Sequence, residues 1–379
     1  MDLAERVARR RSARRAAGVM VERDVLSPVT HRPEPVGRGV VLEELLDAVD
    51  PVFDGDLPPD VAVAGPHGSG TSAVVTALFA SLNDRLGAPD RSIATTTRGG
   101  APDPVTWFLT VDARTVASPF AFYRAVLSAL VDGGVPDGGV ETDVLRNRLA
   151  GRLDRPDRRA VVAIDHHDEP GGLDLETVRG LLAPFEERVA LVPVGRTVPE
   201  DWSGPVVRVS PYRRHELVDV VTDRATTGLA TGAVDHGTLR ELAAWADGNA
   251  HDALAALFGA ATLAARADAD RIADDHLDRA MADVPADGIH VARPLSVSES
   301  RQRVLAGLVE LDAPARSIGD LATEIAARTD VASGTVTRFL YELAGAGILR
   351  RVALPADGSG RRPSTVEPRF PTIVFRTHA

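Results

Sequence analysis

The stretch Gly65-Pro66-His67-Gly68-Ser69-Gly70-Thr71-Ser72 has the residue types and spacing to cradle phosphate. In the G-x-x-x-x-G frame the glycines let backbone N–H groups close around phosphate oxygens, a lysine after the last glycine reaches the β and γ oxygens, and the final hydroxyl holds Mg2+. Here Thr71 stands where the lysine belongs. Gly65, Gly68, Ser69, Gly70 and Ser72 thus keep the amide cradle and the metal hydroxyl, and the main cation is gone. Asp165 closes the apolar run Ala160 to Ile164, the place from which a strand delivers a carboxylate to bound Mg2+. Ser72 and Asp165 are therefore the expected metal pair. A glutamate that would orient attacking water is missing after Asp165, because His166 and His167 follow. Adjacent histidines on one loop seldom converge on one ion, so His166-His167-Asp168 is not read as a metal cluster.

Composition extends the point about Thr71. All 43 basic residues are arginine and none is lysine. A drift from lysine would put arginine in the loop, yet a planar guanidinium fits poorly where a slim point charge is wanted. Threonine implies that chemistry at a γ-phosphate was not maintained. The net charge is -11, but it is unevenly spread: residues 1–23 carry +4, residues 293–379 carry +3, and the segment between carries -18. An acidic middle with basic ends suits a chain whose ends alone meet nucleic-acid phosphate. Abundant Asp, Ala and Arg without Lys also fits a salt-adapted archaeal proteome. With no cysteine, disulfides, iron–sulfur clusters and thiolate zinc sites are excluded. No apolar run is long enough for a membrane span and no apolar signal core follows the first residues, so a cytoplasmic protein is expected.

The elements that would position the loop follow from periodicity. Val61 to Ala64 reads as a short buried strand running into the glycines, and Thr71 to Leu82 as the helix after them. Trp107 to Val111, Ala160 to Asp165 and Val189 to Val194 read as further strands, with helices at Val41 to Leu46, near Ala121 to Val131 and at Leu175 to Phe185. The stretch between residues 131 and 160 reads as polar and Gly-rich. Strands alternating with helices predict an α/β unit with a parallel sheet covered on both faces. From Pro211 to Ala282 only helical stripes remain, and Pro285 to Pro294 reads as a linker.

The last segment carries a different signal. Glu299 to Leu311, Ser317 to Arg328 and Thr335 to Ala344 are helical, the third capped by Ser333 and ended by Gly345 and Gly347. Ile348 to Leu354 and Ser364 to Phe370 read as strands joined by Asp357-Gly358-Ser359-Gly360-Arg361-Arg362. Three helices and a hairpin make a winged helix, whose third helix enters the major groove while the wing reaches flanking phosphates. The candidate DNA contacts are Ser333, Thr335, Thr337 and Arg338 on the third helix and Arg350, Arg361 and Arg362 on the wing. Arg6, Arg9, Arg10, Arg11, Arg14 and Arg15 form an Arg-rich arm.

With these pieces in order, the sequence resembles the archaeal initiator family related to the largest origin recognition complex subunit and to cell division control protein six. The resemblance runs from Val25-Leu26-Ser27-Pro28 and Gly37-Arg38 through the glycine loop to Asp165 with Asp168. It continues through Ser210-Pro211-Tyr212 and His215-Glu216-Leu217 to Gly248-Asn249-Ala250-His251-Asp252-Ala253-Leu254. It implies an AAA+ core at residues 24–210, a helical lid at 211–284, a linker at 285–294 and a winged helix at 295–379, with the arm at 1–23. It also implies ATP and Mg2+ at the loop, origin DNA as partner, and a replicative helicase or initiator paralogues beside it. The departures are systematic: Thr71 for the lysine, His166 for the glutamate, Arg196 for a sensor asparagine, and His251 where a lid arginine would meet the γ-phosphate. The stretch between Val198 and Ser210 is also shorter than the family's arginine-bearing segment.

Losing one charge-assisted contact costs about 1.5–3 kcal/mol. The expectation is a DNA-binding, replication-initiator-like protein of haloarchaeal type that holds ATP or ADP weakly or not at all and hydrolyses little or none. Two alternatives stand beside it: an ATPase completed by a partner subunit, and a transcription or protein-docking regulator on the same scaffold.

Overall fold

A computed structural model describes residues 18–86, 104–131, 133–155, 157–311, 316–355 and 362–379. The arm arginines from Arg6 to Arg15 and Arg361 of the wing lie outside the described residues. The chain divides into two compact units, one of residues His31–Pro211 and one joining Met1–Thr30 to Tyr212–Ala379.

The first unit is organised by its apolar runs. β1 (Ala62–Ala64), β2 (Val105–Asp112), β3 (Arg158–Asp165), β4 (Val189–Gly195) and β5 (Val206–Arg208) form a parallel sheet in the order β2-β3-β4-β1-β5. Along β3 the side chains alternate between two cores. Ala160, Val162 and Ile164 pack with Phe122, Leu145 and Leu182 on one face, while Val161 and Ala163 pack with Leu45, Val74 and Phe79 on the other. Burial on both faces is why the strand reads as an unbroken apolar run. α1 (Gly39–Ala48) and α2 (Thr71–Leu86) cover one face; α3 (Pro119–Leu130), α4 (Thr142–Leu153) and α5 (Leu175–Leu182) cover the other.

Two of these elements escape the sequence pattern. α4 falls in the stretch expected to be polar and Gly-rich, because only Leu145, Leu149 and Leu153 face the core among charged neighbours. β5 has three residues, only one of them fully buried, too few for an alternation to register. Across the sheet Asp112 pairs with Asp165, Asp165 with Val194, and Val194 with Val63. The C-terminal ends of β1 to β4 therefore open along one edge, where parallel sheets bind ligands.

In the second unit α6 (Arg214–Gly228), α7 (His236–Trp245), α8 (Ala250–Arg266) and α9 (Asp274–Asp283) form the helical part expected from residue 211 onward. α8 is its centre and is buried almost all round. Residues 24–30, expected in the sheet core, belong to this unit. The buried Arg224 side chain of α6 donates to the carbonyls of Val25 (2.6 Å) and Thr30 (2.7 Å). Gly228 permits the approach, since a Cβ there would meet Leu26 Cγ at 2.4 Å. A hydrophobic segment with no sheet register to join is captured by the helical layer.

α10 (Glu299–Leu311), α11 (Ile318–Arg328) and α12 (Ser333–Gly345) precede an antiparallel hairpin of β6 (Leu349–Ala353) and β7 (Ser364–Pro368), the winged-helix arrangement. Ser317 caps α11 in a reciprocal pair with Asp320. Ser333 does not cap α12. The Ala332 carbonyl already accepts from the N–H groups of Thr335 (2.8 Å) and Val336 (3.0 Å), so the helix begins at Ser333, before the expected start at Thr335, and Ser333 lies inside it. A final helix, α13 (Thr372–His378), had no sequence forecast. It buries Val374 and Phe375, and Asp283 of α9 accepts from Thr372 Oγ1 (2.5 Å) and the Ile373 N–H (2.8 Å) at its start.

Candidate nucleotide site and nucleic-acid face

The glycine loop leaves β1 and enters α2 at Thr71. Gly68 and Gly70 have φ values of 73° and 86°, a left-handed region that glycine alone enters without strain. Gly65 is required by proximity: a Cβ there would lie 2.3 Å from the Val209 carbonyl oxygen and 2.6 Å from Ser69 Oγ. Arg38, almost fully buried, donates from Nε to the Ser69 carbonyl (2.9 Å) and from Nη2 to the Ser210 carbonyl (2.9 Å). It thereby fixes the loop to the chain leaving β5. Gly37-Arg38 entered the sequence reading only as part of the resemblance; the structural work of Arg38 had no local signal because both acceptors are distant in sequence.

Ser72 and Asp165, the expected metal pair, meet directly. Ser72 Oγ donates to Asp165 Oδ1 at 3.0 Å. Such a pair of oxygens suits the coordination shell of Mg2+. The residues after Asp165 turn back on the strand end. His166 has φ 60°, its N–H donates to Asp165 Oδ1 (2.9 Å), and its ring lies between Asp165 (3.5 Å) and Glu169 (3.6 Å). Asp168 Oδ2 accepts from the N–H groups of Arg196 (2.9 Å) and Thr197 (3.1 Å), tying the ends of β3 and β4 together. The Arg196 guanidinium reaches Glu169 Oε1 at 3.4 Å.

A further cation lies at this edge that sequence reasoning passed over. Arg114, whose side chain is 8% exposed, grips both Asp112 oxygens, Nε to Oδ1 at 2.9 Å and Nη2 to Oδ2 at 2.7 Å. Burial works to raise the Asp112 carboxyl. The hydrogen bonds and charge of Arg114, aided by His166, outweigh it and hold Asp112 below its usual value. Burial likewise works to lower Arg114, and Asp112, Glu169 and Asp165 raise it beyond its ordinary value. An acid two residues before an arginine at a strand end is the one signal that would have found the pair.

His251 lies in the other unit, at the start of α8. It is buried, with Nδ1 2.9 Å from Asp252 Oδ1 and Nε2 accepting from the Val291 N–H at 3.1 Å. Both ring nitrogens thus have partners within their own unit.

On the winged helix, Ser333, Thr335 and Thr337 are half-buried, and Thr337 Oγ1 donates to the Ser333 carbonyl (3.0 Å). Arg338 and Arg362 are exposed. The two arginines of β6 diverge, as strand alternation demands. Arg350 pairs with Glu367 (2.8 Å) and Asp287 (3.4 Å), whereas Arg351, not singled out in sequence, lies 5.8 Å from the Tyr341 ring of α12. Among the described residues, no helix is long and apolar enough to cross a membrane.

A parallel sheet with a glycine loop after β1 and a carboxylate after β3 defines a P-loop nucleotide-binding class. The AAA ATPase domain model matches residues 34–192. The chain is 25% identical over 344 residues to ORC1-type DNA replication protein 6 of Halobacterium salinarum, covering 84% of this chain and 85% of that protein. The structure of the Aeropyrum pernix ORC1 protein in complex with DNA matches it with a TM-score of 0.63 at 21% identity, over 95% of this chain and 96% of that one. The structure of CDC6P from Pyrobaculum aerophilum does so with a TM-score of 0.57 at 17% identity, over 95% and 97%. The chain is thus a replication-initiator-like AAA+ protein, similar along most of its length to an archaeal ORC1-type replication protein and sharing the fold of archaeal ORC1 and CDC6P.

Proposed function

We propose that this protein binds duplex DNA through its winged helix and holds ATP or ADP weakly, without appreciable hydrolysis. One observation carries the nucleotide half: the charges at the sheet edge face one another. Arg114 is bound to Asp112, Arg196 reaches Glu169, and His166 sits between Asp165 and Glu169, while the loop offers Thr71 in place of a cation. The donor set still fits a diphosphate with Mg2+. Backbone N–H groups of the loop would receive the phosphates, Ser72 and Asp165 would hold the metal, and Mg2+ would offset phosphate charge there. A γ-phosphate finds neither the lysine nor a positioned base.

The DNA half is supported by the winged-helix arrangement, the exposed Arg338 and Arg362, and a relative of the same fold solved with DNA. Contacts to a replicative helicase or to initiator paralogues belong to the same proposal, by the similarity to ORC1-type replication proteins. The test is a titration of ATP and ADP with Mg2+, with and without duplex DNA, alongside turnover of labelled ATP. Weak binding and no turnover are expected; turnover that Asp165→Ala abolishes overturns the reading.

A further inference from the structure

The outward stripe of α12 is Gly334, Arg338, Tyr341, Glu342 and Gly345. Around it the winged helix assembles three guanidinium groups on two aromatic rings. Arg301 of α10 and Arg338 of α12 both lie over Phe339, 4.8 Å and 5.2 Å from its centroid, and Arg351 of β6 lies 5.8 Å from the centroid of Tyr341. Glu342 joins the first two: Arg301 Nη2 donates to Oε2 at 2.6 Å, and Arg338 Nε is 3.8 Å from Oε1. Arg301 also donates from Nη1 to Ser298 Oγ (3.1 Å). Three elements thus converge on one exposed patch with three positive charges and one negative.

A guanidinium fork that grips a carboxylate grips phosphate in the same way. Long arginine side chains normally lose rotamer freedom on binding, and rings that already orient them reduce that loss. Tyr341 is 45% exposed, leaving an aromatic edge between the cations where a sugar can pack. We infer that Arg301, Arg338 and Arg351 form a pre-set clamp for the phosphates of duplex DNA, and that Glu342 occupies a phosphate's place in the free protein. The inference rests on the DNA-binding reading and adds to it the contact set and a built-in competitor. Of the three arginines, sequence reasoning had singled out only Arg338.

The experiment is an anisotropy titration of the full chain against a labelled random-sequence duplex over a range of salt, with each variant's fold checked by circular dichroism and thermal melting. Arg301→Ala and Arg351→Ala should each weaken binding about three- to tenfold and reduce the slope of log affinity against log salt by about one. Glu342→Gln should tighten binding several-fold, the outcome that separates a competitor from a mere structural tie. Tyr341→Ala should weaken binding and Tyr341→Phe should not, since the ring and not the hydroxyl holds Arg351. Arg240→Ala, an exposed arginine of α7, serves as a charge control and should leave affinity unchanged. Wild-type binding with Glu342→Gln no tighter, or with the two Ala variants unchanged, overturns the clamp and leaves the DNA reading standing. No duplex binding by the wild type overturns both.

Discussion

The sheet edge and the winged helix use the same residue type to opposite ends. At the edge, Arg114 is buried against Asp112; on α12, Arg338 keeps 64% of its side chain exposed above Phe339. A buried guanidinium must be matched, by a carboxylate as at Arg114 or by backbone carbonyls as at Arg38 and Arg224, because desolvating an unmatched charge costs several kcal/mol. An exposed one keeps its charge for a ligand. Burial therefore separates arginines that hold the protein together from arginines available to a partner. The rule extends to aspartates. Asp112 and Asp283 are both half-buried, yet Arg114 holds the first below its ordinary value, whereas burial pushes the second up to about 6 against the weaker pull of Thr372, Ile373 and Arg376.

The largest effect should come from breaking the buried pair. Arg114→Ala strands Asp112 and removes a positive charge facing Asp165 and Glu169; because the Asp112 side chain keeps 32% of its surface in solvent, the full cost of breaking a buried pair is reduced to a loss of about 2–4 kcal/mol in denaturant unfolding. A loss below 1 kcal/mol would put the edge in the same class as the surface. Asp283 should give a smaller effect with a defined pH sign. Its folded pKa lies above the ordinary 3.8, so the stability it contributes is full below that value and is lost as pH rises through about 6. Linkage sets the span on the order of 3 kcal/mol at most. Relative to Asp283→Asn, the wild type should therefore lose stability between about pH 4 and pH 7; a gain over that interval would mean that the bonds from Thr372 and Ile373 dominate.

How legible each region was in sequence follows the same division. β1, β3 and β4 announced themselves because both faces of the sheet are buried there and leave unbroken apolar runs; β2, at the sheet edge and interrupted by Thr106 and Thr110, was legible from Trp107, Phe108, Leu109 and Val111; β5 and α4 were not, having too few apolar positions to set a period. The pairing of Ser72 with Asp165 was readable because strand, glycine loop and carboxylate recur in a fixed order. Arg38 and Arg114 were not singled out as site residues, since an arginine's burial depends on tertiary neighbours and leaves no trace in spacing. The divergence of Arg350 and Arg351 was latent in strand alternation, but their partners Glu367 and Tyr341 come from other elements. Residues 24–30 were misplaced for a like reason: their apolar positions state a need for cover, and only the fold states that α6 provides it.

Restoring the missing cation tests whether the edge has lost one group or been rebuilt as a self-paired network. Thr71→Lys adds one charge-assisted contact, for which about 1.5–3 kcal/mol, or roughly ten- to a hundredfold in ATP affinity, is expected. The gain should be greater for ATP than for ADP, because the added ammonium reaches toward the terminal phosphate. On the proposed reading turnover should not appear, since His166 and not a carboxylate follows Asp165. Recovery of hydrolysis by Thr71→Lys alone would show that the inward pairing of Arg196 and Glu169 yields to nucleotide.

The smallest effect is expected where an ion pair looks best and matters least. Arg303 Nη1 lies 2.6 Å and 2.7 Å from the two Asp330 oxygens, distances as short as those between Arg114 and Asp112, but the two side chains are 44% and 70% exposed. Water screens the attraction and both chains give up rotamer freedom to meet, so Arg303→Ala should change unfolding stability by less than about 1 kcal/mol, and by less still in concentrated salt. A loss matching that of Arg114→Ala would make distance and not burial the governing variable, and the contrast between the two arginine sets would then fail at its base.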